Sequence, residues 1–340
     1  MAFVNIGLLT VRDYGEYIMA TRSARSERVC IIGAGLMGQG IAQSFALGGW
    51  APVLVDRLPE LAEKGLVAVA SSLSAAVQAD RLSASRAENA LSRVSISSDL
   101  SAACSFADVI FEAVPESLSI KHEVWAEISA AASVETILAT NTSALDIDAI
   151  SVVVDTPERF LGIHWYNPAQ LIPGVEIVPG QATSAATVSR ALALMTAVGK
   201  KPFVVRNRPG FVGNRLQFAL IAEAFRCLEE GVATAENIDE IARSTFGIRL
   251  GDFGPIRLAD MGGLDTYVSI LTYLSQTLGE RFAVPALLRD LAERGDVGVK
   301  SGQGVFSYTN DEGAALASAR DTALARRLDN EDEPVGTMTK

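Results

Sequence analysis

The stretch RVCIIGAGLMGQGIAQSFALGGWAPVLVD, residues 28–56, decides the fold. It contains an apolar strand, the glycine pattern Gly33-x-Gly35-x-x-Gly38, a helix-forming run and a second apolar strand that ends at Asp56. Three spaced glycines alone are weak evidence. In the order strand, glycines, helix, strand and acidic residue, they predict the first βαβ unit of a dinucleotide-binding domain.

Each glycine has a separate predicted task. Gly33 permits the tight turn, Gly35 lets the backbone approach a pyrophosphate, and Gly38 lets helix and strand pack closely. Leu36 and Met37 open the helix, whose free N–H groups and partial positive charge favour phosphate. Two weaker alternatives to a nicotinamide dinucleotide site are a glycine turn that binds no cofactor and a flavin site.

Asp56 predicts which dinucleotide binds. A carboxylate at this position hydrogen-bonds the ribose hydroxyls and repels a 2′-phosphate, so NAD is expected in preference to NADP. The neighbouring Arg57 is the one residue that argues the other way.

Beyond this unit, short apolar runs alternate with helical stretches up to residue 206. Continuous apolar runs are typical of strands covered on both faces by helices, and this order predicts a doubly wound, mostly parallel sheet over 28–206. The predicted strands are 28–32, 51–56, 94–97, 107–114, 136–141, 159–165, 175–178 and 202–206.

Residues 207–309 are predicted to form an all-helical C-terminal domain for dimerisation and substrate binding, with helices at 211–231, 234–247, 263–279 and 285–295. The first of these is apolar on nearly every face, which predicts burial on several sides, including by a second subunit. Residues 310–340 are predicted to be a tail with a disordered acidic end. Residues 1–27 are predicted to be a disordered extension, with Met19 as the working start.

The composition limits the partners. The 340 residues carry a net charge of −11, which argues against nucleic acid. No apolar run approaches 18 residues, so no membrane span is expected. The chain's three cysteines are far apart, which indicates a reducing cytoplasm and no metal site.

The stretch GIHWYNPAQLIPGVEIVPG, residues 162–180, carries one of only two histidines, His164, and a single carboxylate, Glu176. Two interpretations compete on these residues alone. One is a core histidine bonded to backbone with a strand-end glutamate facing water. The other is a catalytic pair.

The chain resembles the 3-hydroxyacyl-CoA dehydrogenase family from about residue 28 to residue 308. Seven separated motifs in the family order carry this resemblance: GAGLMGQGIA, FEAVPESLSIK, ATNTSAL, GIHWYNP with VEIV, RPGFVGNRL, GPIRLADMGGLD and KSGQGVFSY. The resemblance implies a Rossmann domain, a helical dimerisation domain, a homodimer and NAD-linked oxidation of a hydroxyl group β to a carbonyl, as in fatty acid metabolism.

The resemblance implies roles for four residues in the reaction. His164 would be the general base and Glu176 its partner, Ser143 would bond the substrate oxygen, and Asn214 would help to hold the reacting group. An imidazole, with an ordinary pKa near ~6.5, suits proton acceptance at neutral pH. A carboxylate on its other nitrogen fixes the tautomer and stabilises the imidazolium.

By the same resemblance, Glu116, Lys121, Asn167 and Lys300 line the cofactor. Each has an alternative role that needs no cofactor: Glu116 as a helix cap, Asn167 as a turn former, and the two lysines as solvated side chains. The second histidine, His122, has no family role and is expected on the surface.

The chain departs from the acyl-CoA enzymes of the family at four positions. Val69 and Ala76 stand roughly where those enzymes carry a serine and a lysine for CoA, and Trp165 and Tyr166 replace phenylalanines beside the base. A 3-hydroxyacyl-CoA therefore stays the first expected substrate. A small non-CoA hydroxy acid, such as a sugar acid, a carnitine-like compound or a hydroxymethyl- or formylpyridine carboxylic acid, is the alternative. A non-catalytic, crystallin-like protein is the third hypothesis.

Overall fold

The computed structural model describes residues 28–329 and divides into two compact units, between Ala219 and Leu220. The first unit holds a sheet of eight strands interleaved with helices, and the second is built of helices. The predicted Rossmann-type α/β fold followed by an all-helical part is confirmed. The predicted extension at 1–27 and the end of the tail, 330–340, lie outside the described residues.

The strands are β1 (Arg28–Ile32), β2 (Ala51–Val55), β3 (Ser95–Ser97), β4 (Val109–Glu112), β5 (Ile137–Thr140), β6 (Phe160–Trp165), β7 (Gly174–Pro179) and β8 (Lys201–Val204). The helices up to the division are α1 (Leu36–Leu47), α2 (Pro59–Gln78), α3 (Ala84–Leu91), α4 (Leu100–Ser105), α5 (Leu118–Ala131), α6 (Ile147–Ser151) and α7 (Ala185–Ala197). Helix α8 (Gly213–Glu229) crosses it. The later helices are α9 (Ala235–Ala242), α10 (Ile248–Leu250), α11 (Pro255–Gly262), α12 (Leu264–Leu278), α13 (Ala286–Glu293) and α14 (Asn310–Asp329), and a π-helical turn, Arg243–Gly247, joins α9 to α10.

The strand order in the sheet is β3-β2-β1-β4-β5-β6-β7-β8. All neighbouring strands pair in parallel except β6 and β7, which are antiparallel. The chain runs outward from β1 in one direction to β3 and in the other to β8. The resulting switch point lies between β1 and β4, and ligands of such sheets bind beyond the carboxyl ends of the strands at this point.

The central strands of the sheet are covered on both faces, which explains their continuous apolar runs. In β1, Val29 and Ile31 belong to one buried cluster, while Cys30 and Ile32 belong to another on the opposite face. Strands β4, β5 and β6 are buried at every residue. This packing holds the strand ends that carry the candidate site.

Helix α8 has no buried residue, so the predicted burial on several sides is not provided by the single chain. Its large apolar side chains are 37–62% exposed: Leu216, Phe218, Leu220, Ile221, Phe225 and Leu228.

Elsewhere in the second unit, the buried carboxylate of Asp260 accepts hydrogen bonds from the backbone N–H groups of Val305 and Phe306 and from the hydroxyl of Tyr308. Within residues 28–329, no helix has the length and apolar character needed to cross a bilayer.

Candidate active site

His164 and Glu176 are direct cross-strand partners in the antiparallel pair β6–β7. Partners in such a pair project from the same face of the sheet, so their side chains meet. His164 Nδ1 lies 2.9 Å from Glu176 Oε2, and the two side chains are only 3% and 6% exposed. This burial excludes the interpretation of Glu176 as a strand-end residue that faces water.

Four donors surround the Glu176 carboxylate. Besides His164, the Tyr166 hydroxyl donates to Oε2 at 2.6 Å, and the N–H groups of Val212 and Gly213 at the start of α8 donate to Oε1 at 3.0 and 3.1 Å. Burial raises the pKa of Glu176, but these hydrogen bonds outweigh it and hold the pKa at about 2. Glu176 is therefore ionised at neutral pH.

The ionised carboxylate decides the tautomer of His164. A carboxylate without a proton only accepts hydrogen bonds, so Nδ1 of His164 must carry the hydrogen that points to Glu176. The other ring nitrogen, Nε2, then has a free lone pair. This arrangement makes Nε2 a proton acceptor.

Asn214, in the first turn of α8, joins that helix to the loop after β5. Its Nδ2 donates to the backbone carbonyl of Ser143 at 2.9 Å. Glu116 holds the same loop, because its Oε1 accepts from the Thr142 hydroxyl at 2.5 Å and from the N–H groups of Ser143 and Ala144 at 2.9 and 3.0 Å. Ser143 is thus fixed through its backbone, and its hydroxyl takes part in none of these bonds.

Lys121 is buried, which excludes the alternative of a solvated lysine. Its Nζ lies 2.6 Å from Glu112 Oε1 and 3.5 Å from Glu116 Oε2. Glu112, at the end of β4, also accepts from Trp125 Nε1 at 3.0 Å and from the Thr140 hydroxyl at 2.7 Å. Sequence analysis missed Glu112, although a lone carboxylate ending an apolar strand is the signal that drew attention to Glu176.

The glycine loop after β1 is tightly packed at two of its glycines and open at the third. Gly33 has φ +102°, and a Cβ there would lie 2.6 Å from the carbonyl oxygen of Ala113. A Cβ on Gly38 would overlap the carbonyl of Gly33. At Gly35, by contrast, a Cβ would meet no atom within 4 Å, and no side chain caps the start of α1. The backbone at Gly35 is therefore open to phosphate, with the exposed Leu36 and the half-buried Met37 beside it.

The remaining predicted cofactor residues lie at different places. Asp56 follows β2 and accepts from the backbone N–H of Ala34 at 3.1 Å, which fixes its carboxylate beside the glycine loop. Asn167 is exposed in the turn after β6. Lys300 belongs to the second unit, where it forms an ion pair with Asp265 at 2.6 Å. The roles of these residues beside a cofactor stay predictions.

Among the described residues, no group of three or more His, Cys, Asp or Glu side chains is arranged to hold a metal ion.

One expectation about the pocket beside the base is wrong. Trp165 does not line it, because adjacent strand residues point to opposite faces, and Trp165 packs against Phe45 and Phe111 in the core. Of these two residues, only Tyr166 lies beside His164, with ring centroids 4.5 Å apart. The other histidine, His122, is partly buried, and its Nε2 lies 2.8 Å from the carbonyl oxygen of Ala149.

Val69 cannot mark a lost CoA ligand. It is 1% exposed and packs in a core cluster with Leu73 and Ala87, so any side chain at this position points inward. The remaining difference from the acyl-CoA enzymes on α2 is the low charge of its exposed face, on which Lys64 is the single basic residue.

Two family models match the chain. The NAD binding domain of 3-hydroxyacyl-CoA dehydrogenase matches residues 28–208, and the C-terminal domain of the same enzymes matches residues 210–308.

Similar proteins include enzymes with CoA and non-CoA names. A 5-formyl-3-hydroxy-2-methylpyridine 4-carboxylate 5-dehydrogenase of Mesorhizobium japonicum is 35% identical, over 88% of this chain and 97% of that protein. A probable 3-hydroxybutyryl-CoA dehydrogenase of Bacillus subtilis is 37% identical, over 83% and 97%. The crystal structure of a 3-hydroxyacyl-CoA dehydrogenase from Archaeoglobus fulgidus superposes with a TM-score of 0.73 at 31% identity, covering 89% of this chain and 98% of that chain.

Proposed function

Because the chain belongs to the 3-hydroxyacyl-CoA dehydrogenase family of NAD-dependent oxidoreductases that act on CH–OH donors, we propose that His164 is the general base of the oxidation. The observation that carries this proposal is the hydrogen bond from His164 Nδ1 to the ionised Glu176, which leaves Nε2 free to take the hydroxyl proton. NAD, when bound, supplies the hydride acceptor.

The protein's own residues account for the proton. As Nε2 takes the hydroxyl proton, the imidazole becomes positively charged, and the carboxylate of Glu176 stabilises that charge at 2.9 Å. The hydroxyl of Ser143 and the amide of Asn214 would bond the substrate oxygen. The bond between Asn214 and the Ser143 backbone keeps these two groups at a fixed spacing.

A 3-hydroxyacyl-CoA is the substrate class that we propose first. The catalytic residues of the acyl-CoA enzymes have counterparts here, and the relative from Bacillus subtilis is named as a probable 3-hydroxybutyryl-CoA dehydrogenase. The departure on α2 concerns the binding of CoA and leaves the proton acceptor in place.

A small hydroxy acid without CoA is the second candidate, because α2 offers so little positive charge to CoA phosphates. The relative from Mesorhizobium japonicum is named for a pyridine carboxylate. A carboxylate substrate needs a cation, and Arg208 or Arg249 could bind both of its oxygens. Arg208 is exposed in the turn before α8, whereas Arg249 donates from Nε to the carbonyl of Thr245.

Steady-state NADH formation separates the candidates. We expect 3-hydroxybutyryl-CoA to be oxidised with a kcat/KM of roughly 10⁴ M⁻¹s⁻¹ or more. Turnover of small hydroxy acids without turnover of the thioester would favour the second candidate, and Arg208→Met or Arg249→Met should then raise KM for the acid. No NAD reduction with any substrate would point to the non-catalytic hypothesis.

A further inference from the structure

Glu176 has a second side-chain donor besides His164. The Tyr166 hydroxyl donates to Oε2 at 2.6 Å, the same oxygen that accepts the Nδ1 hydrogen of His164. The two rings are neighbours, with centroids 4.5 Å apart. Gly213 is adapted to this arrangement, because a Cβ there would overlap the Tyr166 hydroxyl.

We propose that Tyr166 is a positioning residue that lowers the basicity of His164 by sharing the Glu176 oxygen with it. The proposal rests on the proposed function of His164 as the base. Beside a phenylalanine, Glu176 Oε2 would accept a side-chain hydrogen bond from His164 alone.

The physical argument concerns one oxygen with two donors. A hydrogen bond from a hydroxyl to a carboxylate stabilises the negative charge, and a short, charge-assisted bond does so strongly. The charge so engaged attracts the imidazolium less. Removing the hydroxyl concentrates the interaction on His164 and favours its charged form. Burial strengthens both interactions, because the surroundings screen them poorly.

No other titratable side chain bonds to Glu176 in the described part of the chain. The start of α8 contributes only backbone N–H groups, the preceding turn contributes the ring of Phe211, and β8 contributes Phe203, which pairs in register with Glu176. Arg208 and Arg215 lie beside that turn and form no ion pair with Glu176. Burial and the neighbouring Glu176 raise the pKa of Tyr166, so its hydroxyl remains a donor at neutral pH.

The chain offers a direct test, because it contains only two histidines. In protein without a histidine tag, the imidazole signals of His164 and His122 can be titrated by NMR, and a His122→Gln variant assigns them. The comparison is between the wild type and Tyr166→Phe. The pH profile of kcat/KM for alcohol oxidation is recorded on the same two proteins.

We expect Tyr166→Phe to raise the titration midpoint of His164 by about half a pH unit or more, where a full unit corresponds to a tenfold change in proton affinity. The acid limb of the kcat/KM profile should move to higher pH by the same amount, and His122 should not move. Gly213→Ala, which displaces the Tyr166 hydroxyl, should shift His164 in the same direction.

Tyr308→Phe is the matched control. It also removes a hydroxyl that donates to a buried carboxylate, Asp260, at 2.9 Å, but it acts in the second unit. This variant should lose stability without moving the His164 titration. A His164 midpoint in Tyr166→Phe within about 0.2 units of the wild type would overturn the proposal. Wild-type turnover in His164→Gln would instead overturn the proposed function and leave the NMR result standing, so the two failures are distinguishable.

Discussion

At the scale of single residues, two carboxylates organise the first unit. Glu112 and Glu176 both lie on apolar strands, and each is buried beneath several hydrogen-bond donors. Glu112 faces a buried lysine and belongs to the scaffold around the loop after β5. Glu176 faces a histidine, whose charge can change during a reaction.

The first prediction concerns the base. His164→Gln should reduce kcat by roughly 10²–10⁴ because the proton acceptor is lost, while NAD affinity measured by calorimetry should stay near the wild-type value. Glu176→Gln should also reduce kcat, because an amide does not stabilise imidazolium. His122→Gln is the control. It should keep full turnover, since the His122 ring bonds to the Ala149 carbonyl and not to Glu176. Unchanged kcat in His164→Gln would exclude the mechanism.

The pKa of Glu176 predicts a pH dependence of stability. The folded pKa of about 2 lies below the ordinary value of 4.5, so the carboxylate contributes stability above pH 4.5 that is lost as the pH falls toward 2. Urea unfolding of the wild type and Glu176→Gln should therefore show a stability gap at pH 7 that shrinks between pH 4.5 and 2. A gap independent of pH would contradict the shifted pKa.

The sequence identifies some site residues and misses others for a physical reason. His164 and Glu176 stand out because each is a rare polar residue in an apolar run. The sequence shows Tyr166 as a replacement for phenylalanine but not its hydrogen bond, which depends on the fold bringing the β6 end and the α8 start to one carboxylate. The core position of Trp165 follows from strand alternation, which places it on the face opposite His164.

At the scale of elements, the turn between β1 and α1 combines two requirements at different glycines. Gly35→Ala should leave the melting temperature nearly unchanged, because its methyl group meets no protein atom within 4 Å. It should nevertheless lower NAD affinity about tenfold or more by occupying the phosphate approach. Gly38→Ala should lower both stability and affinity, because its methyl group overlaps the Gly33 carbonyl. Calorimetry measures the NAD affinity, and thermal unfolding measures the melting temperature. Equal changes in the melting temperature of the two variants would contradict this division.

The ion pair between β4 and α5 predicts a large stability effect. Lys121→Met leaves the buried carboxylate of Glu112 without its cation and should cost about 3–5 kcal/mol of unfolding free energy. The matched control is Lys300→Met, which breaks an exposed pair with Asp265 and should have little effect. Denaturant unfolding measures both. Similar losses in the two variants would mean that burial does not set the energetics of the Lys121 pair.

Strand positions follow from the sequence more closely than strand direction does. All eight predicted strands are present, and their ends shift by at most two residues, because parallel strands buried on both faces form unbroken apolar runs between polar turns. The reversal of β7 relative to β6 is not visible in those runs. It depends on the path of residues 166–173, which return the chain beside β6 instead of crossing the sheet.

At the scale of the whole molecule, α8 exposes a group of large apolar side chains. Its exposed apolar side chains include Phe218 and Phe225, which are 60% and 62% exposed. Contiguous apolar surface of this kind is typical of a subunit interface. A homodimer through the helices of residues 211–295, with α8 in the interface, therefore stays our prediction.

Light scattering at micromolar concentration should give twice the mass of one chain. Phe218→Asp with Phe225→Asp should give the mass of a single chain, because charged groups in an apolar interface lose hydration without a partner. Val67→Asp is the control: Val67 is an apolar residue of α2 that is 64% exposed, and the change should leave the mass unaltered. A wild-type mass of one chain would contradict the prediction.

The register of β6 and β7 has a consequence for how such an enzyme can diversify. The positions of His164 and Glu176 relative to each other are set by paired backbones, from Leu161 opposite Pro179 to Trp165 opposite Val175. Substitutions at exposed residues of the connection beyond Asn167, such as Leu171, can change the surface beside the site while this pairing keeps the proton acceptor aligned, so a descendant can acquire a new substrate and keep the same chemistry.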